Sequence, residues 1–504
     1  MHDPYILTNV NGIAMDETGT RFSAVAVENG RIARVGTGAD MADLGWPARD
    51  MGGKTLLPGF IDTHQHLGLT GQVLNGLDFS AAACLDDILG PVAGAAPGGA
   101  PEDWLLGYSL AEFNLRENRL PVKEDLDRAC PDRPVMVVHA SWHLCVLNSK
   151  ALALLGLPAD LPGMDRDAGG PTGVVRDPGA LTHVFPRVNT LMPEAVKVAS
   201  FRAACEAAMQ QGITTLHCLE GGDFGPGDTR IAVGCRDRLP VNTVIWNQVM
   251  DIPGTLDMGL PRIGGCICAD GAMSAHTAAL LESYADQPDN CGTLNFTQAA
   301  MDAFVREAHD NGLQVAVHCE TDGAIEQVLS AMEKAIRASP RPDHRHRIEH
   351  CEIPTPGQIG RIAEAGVIAS MQPAFFPYLV DMDEYTRIFG AERMRWIHPY
   401  RTMLDAGVRL CGGSDCPITP YGPLIGIQAA VLHPIKEERL TPMEALRLFT
   451  LDAAYAGFEE RERGSVEPGK LADFAVLAED PTRVAPERIG SIEVEGVFVS
   501  GVAS

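Results

Sequence analysis

The middle of the chain alternates short apolar runs with segments whose apolar residues recur at helical spacing. The runs have the length of buried strands, and strands that alternate with helices form parallel sheets. Eight strands are predicted, at residues 60–64, 135–139, 213–217, 241–246, 314–318, 347–350, 367–371 and 408–415. This pattern predicts an α/β fold built on a TIM-like (β/α)8 barrel.

Helical spacing is clearest over residues 301–311 and 324–337. Gly312 and Gly366 stand where helices should end, because glycine readily takes the left-handed conformation of a helix C-terminus. Two long stretches, at about 67–130 and 140–195, interrupt the alternation and contain many glycines and prolines. We expect both to be elaborations over the barrel mouth that shape a substrate pocket.

Both ends of the chain show short strands separated by turns instead of strand–helix alternation. These strands are predicted at residues 5–10, 24–27, 31–36, 472–477 and 492–501. We therefore expect residues 1–57 and 465–504 to form one small β-sandwich domain. The barrel, residues 58–464, would be inserted between them.

Composition narrows the function classes. Hydrophobic residues make up 45% of the 504 residues and charged residues 21%, as in ordinary globular proteins. The net charge of −26 argues against nucleic acid or an anionic membrane as a partner. The thirteen cysteines are odd in number and scattered, which argues against a disulfide framework. With no signal peptide and no apolar run of membrane-spanning length, the sequence predicts a cytoplasmic protein.

The first barrel strand ends in two histidines one residue apart, His64 and His66. Side chains alternate along a strand, so both imidazoles should point the same way and could bind one metal ion. Alone this spacing is weak, because one histidine could pack in the core while the other is solvated.

Other polar residues strengthen the metal hypothesis. His318, His350 and Asp415 also lie at carboxyl ends of predicted strands, and in a barrel these ends meet at one face. A hydrolytic metal site needs neutral imidazoles or carboxylates and an open position for water. We therefore predict four histidine ligands, with Asp415 as ligand and general base. His344 and His346, which lie among arginines, are expected to be solvated.

Several motifs together resemble the amidohydrolase superfamily, and within it the branch of N-substituted formamide deformylases (amidohydrolase family 3). They are residues 58–66, His318, 347–350, 413–415 and 468–474, with further signatures at 141–143, 148–152, 269–272 and 277–280. The resemblance covers nearly the whole chain. It implies a hydrolase of non-peptide C–N (amide) bonds, a small-molecule amide substrate and a homodimer. It also implies a divalent metal, expected to be zinc, in one or two ions per chain, with metal-activated water attacking the carbonyl.

One position departs from this family pattern. Four residues before the Asp270–Gly271 pair, the branch usually has a lysine that becomes carboxylated and bridges two metals, whereas this chain has Cys266. A thiolate beside a divalent ion could fill the same role, and some superfamily members resemble this arrangement. We predict Cys266 as a metal ligand; the alternative is a mononuclear site with an inert buried thiol.

His143, in the Ser141–Trp142–His143 signature, is a candidate catalytic residue that contacts the substrate or the developing oxyanion. A structural role in its loop is the alternative. For the whole chain, the alternatives are a cyclic-amide hydrolase, a deaminase, or a catalytically silent barrel that binds a small molecule. Deaminases of the superfamily place a glutamate three residues after the fifth-strand histidine, where this chain has Thr321.

Overall fold

The computed structural model describes residues 3–98, 100, 103–158 and 160–503. The chain divides into two compact units. The first unit comprises residues 1–66, 205–219 and 236–504, and the second comprises residues 67–204 and 220–235.

The first unit contains a barrel of parallel strands, which confirms the predicted α/β barrel fold. We number them barrel strands 1 to 8 in chain order: Phe60–Gln65, Ile213–Glu220, Asn242–Asn247, Arg262–Cys268, Gln314–Thr321, Arg347–Ile353, Ile368–Met371 and Arg409–Gly412. Each strand pairs with the next in sequence. The chain after strand 8 nearly closes the barrel: Asp415 N–H donates to His64 O (2.7 Å) and His66 N–H to Cys416 O (2.9 Å).

The predicted strand set was wrong at one position. Val135–His139 is a strand, but it pairs with Leu105–Leu110 and Leu144–Leu147 in a different sheet of the second unit. The missing barrel strand is Arg262–Cys268, which carries Gly264 and Gly265. A Cβ built on Gly264 would lie 2.0 Å from the Ala316 carbonyl oxygen, so the close approach of the neighbouring strand requires glycine there. Glycine weakened the strand pattern in the sequence.

The predicted helices of the first unit are confirmed. Thr297 caps the helix Gln298–Asp310 with its side chain, and Gly312 follows it with φ of +79°. Gly366 ends the helix Pro356–Ala365 in the left-handed conformation, with φ of +66°. The other α-helices of this unit are Ile252–Asp257, Asp322–Ala338, Phe375–Tyr378, Met382–Phe389, Ala391–Met394, Tyr400–Asp405, Pro423–Val431, Pro442–Leu448 and Leu451–Ala456.

Both chain ends contribute to one further sheet of the first unit, as predicted. Its order is Val502–Ala503, Val494–Val499, Phe474–Leu477, Thr55–Pro58, Tyr5–Ile13, Arg21–Glu28 and Arg31–Gly36, with Ala48–Asp50 also paired to Tyr5–Ile13. Leu7, Val25, Leu56 and Phe474 belong to its buried core. The chain passes from this sheet to the barrel between Pro58 and Phe60. That the sheet is a domain of its own, with the limits given above, stays a prediction.

The second unit, which holds the predicted elaborations, has a sheet of its own. The strand order is Met164–Asp167, Gly170–Arg176, Leu144–Leu147, Val135–His139, Leu105–Leu110 and Leu77–Asp78. Its α-helices are Leu67–Asn75, Asp86–Ala95, Lys123–Ala129, Ser149–Leu155, Phe185–Leu191 and Asp228–Cys235, and Glu194–Met209 leads back to the first unit. Among the described helices, none combines the length and apolarity needed to cross a bilayer. A position over the barrel mouth stays a prediction.

Candidate metal centre

The structure brings six predicted ligands together at the carboxyl ends of the barrel strands. They fall into three groups: His64, His66 and Cys266; Cys266, His318 and His350; and His64, His350 and Asp415. Within each group the ligand atoms lie within 4.8 Å of one another. Because Cys266, His64 and His350 each belong to two groups, the six residues form one continuous constellation.

Asp415 is the point where the two histidines of strand 1 converge. Its Oδ1 lies 3.3 Å from His64 Nε2 and 3.2 Å from His66 Nε2. Among the described residues, neither His64 Nε2 nor Asp415 Oδ1 has an aligned hydrogen-bond partner, although both atoms are buried. Asp415 has a φ of +58°, a left-handed conformation that a non-glycine residue seldom adopts.

The opposite ring nitrogens of the same histidines are already occupied. His64 Nδ1 lies 2.7 Å from Glu349 Oε2, and His66 Nδ1 lies 3.1 Å from the Leu219 carbonyl oxygen. A carbonyl or a carboxylate only accepts, so each Nδ1 carries hydrogen and each neutral imidazole presents the Nε2 lone pair to Asp415. Two imidazole lone pairs and a carboxylate that converge at about 3 Å are suited to bind a cation.

With protein charges alone, that cation is a proton. Burial opposes a charge on His64, but Asp415 and Glu349 outweigh it and raise the pKa of His64 to about 9. Burial likewise opposes charge on Asp415, yet the His64 charge holds the pKa of Asp415 well below its ordinary value. A divalent ion would replace this proton and satisfy the same carboxylate.

The histidines of strands 5 and 6 suit metal binding in a different way. Burial lowers the pKa of His318 to about 4 and that of His350 well below its ordinary value, so both imidazoles are neutral near pH 7. No hydrogen-bond partner for either ring nitrogen of the buried His350 occurs within the described chain. Neutral, unpartnered imidazoles are the form in which histidine binds a metal.

Cys266 lies at the junction of two ligand groups, with its Sγ 3.8 Å from His318 Nδ1. A hydrogen bond with Cys268 raises the pKa of the Cys266 thiol well above its usual value. Burial and the negative charges of Asp415 and Glu349 raise it further. Protein charges alone therefore keep the thiol protonated, and a bound cation would be needed to form the thiolate. A donor set of imidazole nitrogen, thiolate and carboxylate fits zinc and similar divalent ions.

Sequence reasoning missed the residues that support this centre. Arg347 and Glu349 are completely buried in strand 6 and form a two-pronged ion pair, with Nε–Oε1 and Nη2–Oε2 distances of 2.7 Å. Arg347 also donates to Thr63 O (2.7 Å) and Ser370 Oγ (2.8 Å). Two opposite charges on alternate residues of an apolar strand were the available signal.

The other predicted positions are placed as follows. His143 lies in the second unit, where its exposed side chain has Nδ1 2.6 Å from Asp177 Oδ2, and its catalytic role stays a prediction. His344 and His346 were expected to be solvated, which is wrong: they are 3% and 0% exposed. Thr321, at the position of the deaminase glutamate, donates its hydroxyl to the Ala279 carbonyl oxygen at 2.6 Å.

Comparison with known proteins places this geometry in context. Residues 48–503 match the sequence model of the amidohydrolase family. The chain is 30% identical to YtcJ of Bacillus subtilis, a protein whose name assigns it to the amidohydrolases, over 97% of this chain and 96% of that protein. It is 29% identical to the N-substituted formamide deformylase of Arthrobacter pascens, over 99% and 97% of the two chains.

A solved structure of a metal-dependent hydrolase shares this fold. A metal-dependent hydrolase of uncharacterised function from Pyrococcus furiosus superposes with a TM-score of 0.81 at 26% identity. The match covers 95% of this chain and all of the other chain.

Proposed function

The chain belongs to the amidohydrolase family, and from this premise we propose that it hydrolyses non-peptide amide bonds of small molecules with Asp415 as general base and acid. The coarser assignment, a metal-dependent amidohydrolase, follows from the family and its relatives. The observation that carries the finer proposal is the approach of Asp415 Oδ1 to His64 Nε2 and His66 Nε2 at 3.2–3.3 Å, without an aligned hydrogen bond to His64.

The residues divide the chemistry between them. When bound, a divalent ion would polarise the amide carbonyl and lower the pKa of a coordinated water to about 7. His64, His66, His318 and His350 would hold that ion as neutral ligands. Asp415 would take the proton from the attacking water and deliver it to the leaving nitrogen, which must be protonated to depart as an amine.

We propose that the site holds two ions, with zinc as the expected metal. Cys266 is shared by the group that contains His64 and His66 and by the group that contains His318. A thiolate at this position could bind both ions, as the carboxylated lysine does in the branch that the sequence resembles. The metal number and identity set the first experiment.

The named relatives indicate the substrate class. An N-substituted formamide deformylase that aligns with nearly the whole chain favours N-formyl or other N-acyl amines. A deaminase is disfavoured because Thr321 has no carboxylate and its hydroxyl is engaged by Ala279 O.

We also propose a cytoplasmic location and a homodimer. None of the thirteen cysteines, all of which lie in the described part of the chain, forms a disulfide, which is typical of proteins in a reducing compartment. The dimer rests on the family resemblance.

The test combines elemental analysis with an activity panel. Protein purified without chelator should contain close to two equivalents of metal, and it should hydrolyse a member of a panel of N-formyl and N-acetyl amines. Asp415→Asn should lower kcat by about 10²–10⁴ through loss of proton transfer. About one equivalent of metal per chain would indicate a mononuclear site in which Cys266 is not a ligand. No metal after reconstitution with zinc or manganese, with no hydrolysis, would overturn the proposal in favour of a binding protein.

A further inference from the structure

Beside the metal centre, the first unit contains a second set of buried polar atoms. We call it the Glu352 cluster: Glu352, His398, Tyr400 and His433, all 0% exposed. Within the described chain, no hydrogen-bond partner occurs for either Glu352 carboxylate oxygen, either His398 ring nitrogen, Tyr400 Oη or His433 Nε2. Buried polar atoms in folded proteins almost always have a partner, so a concentration of unsatisfied ones indicates a site that binds something.

The cluster adjoins the strands that carry two of the metal ligands. Glu352 follows His350 by two residues on strand 6, and Glu320 follows His318 by two residues on the neighbouring strand 5. Each glutamate therefore lies two residues beyond a proposed ligand, toward the carboxyl end of its barrel strand. Burial, and after it the charge of Glu352, raises the pKa of Glu320 well above its ordinary value.

Contacts, not strand alternation, define where the Glu352 side chain points. The backbone is left-handed at His350 and Cys351, with φ of +70° and +51°, which interrupts regular alternation. Glu352 Oε2 lies 3.2 Å from His398 Nε2, and the His398 N–H donates to the Glu352 carbonyl oxygen at 2.6 Å. Both ends of the residue are therefore fixed against the His398 loop.

The surroundings are acidic and aromatic. Within the described part of the chain, no lysine or arginine forms an ion pair with Glu320 or Glu352, and Glu320 Oε2 accepts only the Met273 N–H at 2.6 Å. The Phe376 ring lies 4.8 Å from the His398 ring. Glu320 is 9% exposed, whereas Glu352 is fully buried, so solvent reaches the pair from the Glu320 side. Paired carboxylates beside aromatic rings are suited to bind a positively charged nitrogen group.

We infer that Glu352 and Glu320 form a subsite for a cationic nitrogen group, an ammonium or a guanidinium, carried by the substrate at the end away from its amide. The inference deepens the proposed function and rests on it, because it names the amide substrate as one with a positive charge at its far end. A group that donates two N–H bonds would satisfy Glu352 Oε1, and also Oε2, which otherwise faces only His398 Nε2 without an aligned hydrogen bond.

The kinetic test uses a matched pair of formamides and the metal-loaded enzyme. N-(4-aminobutyl)formamide is cationic at pH 7.5, and N-pentylformamide is its neutral counterpart of equal length. We expect the native enzyme to prefer the cationic substrate at least tenfold in kcat/KM, and Glu352→Gln to reduce this ratio below threefold. Glu282→Gln, which removes an exposed carboxylate of the same unit, should keep the native ratio. Glu320→Gln provides a second variant if Glu352→Gln does not fold.

The binding test does not depend on turnover. Calorimetry of the metal-loaded protein with 1,4-diaminobutane, against butane-1,4-diol, should show saturable binding of the diamine that weakens at least tenfold in Glu352→Gln. Binding lost in Glu352→Gln without hydrolysis of either formamide would support the subsite and overturn the amidase proposal. Hydrolysis of both formamides at equal kcat/KM would overturn the subsite and leave the proposed function standing. Equal diamine binding by native and Glu352→Gln protein would show only nonspecific attraction to an acidic surface. This result would also overturn the subsite.

Discussion

Glu349 Oε2 lies 2.7 Å from His64 Nδ1, and both side chains are completely buried. Glu349 is in turn clamped by Arg347 through two contacts of 2.7 Å. Burial would raise the pKa of Glu349, but the Arg347 and His64 charges lower it, so the carboxylate is ionised. Glu349 therefore fixes the tautomer and orientation of His64, so that the Nε2 lone pair of His64 faces the proposed metal.

Replacement of Glu349 should lower the affinity for the metal although all the proposed ligands are still present. Glu349→Gln keeps an acceptor for His64 Nδ1 but removes the charge that raises the basicity of the imidazole, so we expect metal affinity to fall about 10–100-fold. A competitive chelator titration measures this. Glu333→Gln, which removes a partly exposed partner of Arg361 in the same unit, is the matched control and should bind metal as the native protein does. Equal affinity in both variants would show that Glu349 is only structural.

Cys266 offers a second, independent test of the metal arrangement. If its thiolate is shared between two ions, Cys266→Ser should lower the metal content from about two equivalents to about one, because a hydroxyl stays protonated and binds such ions weakly. Cys319→Ala is the control: Cys319 is a buried neighbour of His318 whose thiol contacts the Val317 carbonyl oxygen. Elemental analysis of both variants decides. Two equivalents retained in Cys266→Ser would remove Cys266 from the ligand set.

The geometry of strand 4 gives a prediction about stability. Gly264 has φ of +89°, and an added Cβ would lie 2.0 Å from the Ala316 carbonyl oxygen on strand 5. Gly264→Ala should therefore lower the free energy of unfolding by at least about 2 kcal/mol, through strained backbone and displaced strands. In contrast, Gly360 lies inside the helix Pro356–Ala365, and a Cβ added there would meet no atom within 4 Å apart from the backbone of its own helix. Gly360→Ala should therefore stabilise the protein by about 0.5–1 kcal/mol. Urea unfolding should show a lower free energy of unfolding for Gly264→Ala than for the native protein, and a higher one for Gly360→Ala.

Local patterns predicted the fold, and they predicted which candidate ligands lie close together, because both depend on short-range order. Strand alternation placed His64 and His66 together, and the positions of His318, His350 and Asp415 at strand ends placed them at one face. The same patterns could not assign Val135–His139 to its sheet, since an apolar run records burial and not its partners.

Long-range contacts explain the remaining errors. His344 and His346 lie among arginines in a polar stretch, and only the folded chain shows the acceptors and donors that bury them. The guanidinium of Arg347 likewise makes five contacts with four residues, Thr63, His217, Glu349 and Ser370, and three of these are distant in sequence.

The buried histidines near His346 make stability depend on pH. His346 Nδ1 accepts the Val315 N–H at 3.0 Å, so the neutral ring carries its hydrogen on Nε2, which faces His309 Nδ1 at 2.8 Å. His309 Nε2 in turn faces the Ser339 carbonyl oxygen at 2.7 Å. Each ring nitrogen of His346 and His309 therefore donates or accepts one hydrogen bond in a way that requires a neutral imidazole. A proton on His346 Nδ1 would break the hydrogen bond from the Val315 N–H.

The sign of the pH effect follows from these contacts. Burial lowers the pKa of His346 well below 6.5, so below pH 6.5 the unfolded chain binds a proton that the folded protein does not. The free energy of unfolding should therefore fall with decreasing pH, by about 1.4 kcal/mol per pH unit for this one histidine. Denaturant unfolding at pH 7.5, 6.5 and 5.5 in the same metal state should show a shallower decline in His346→Gln than in the native protein. Parallel declines would contradict the prediction, because they would show that His346 binds its proton equally in the folded and the unfolded state.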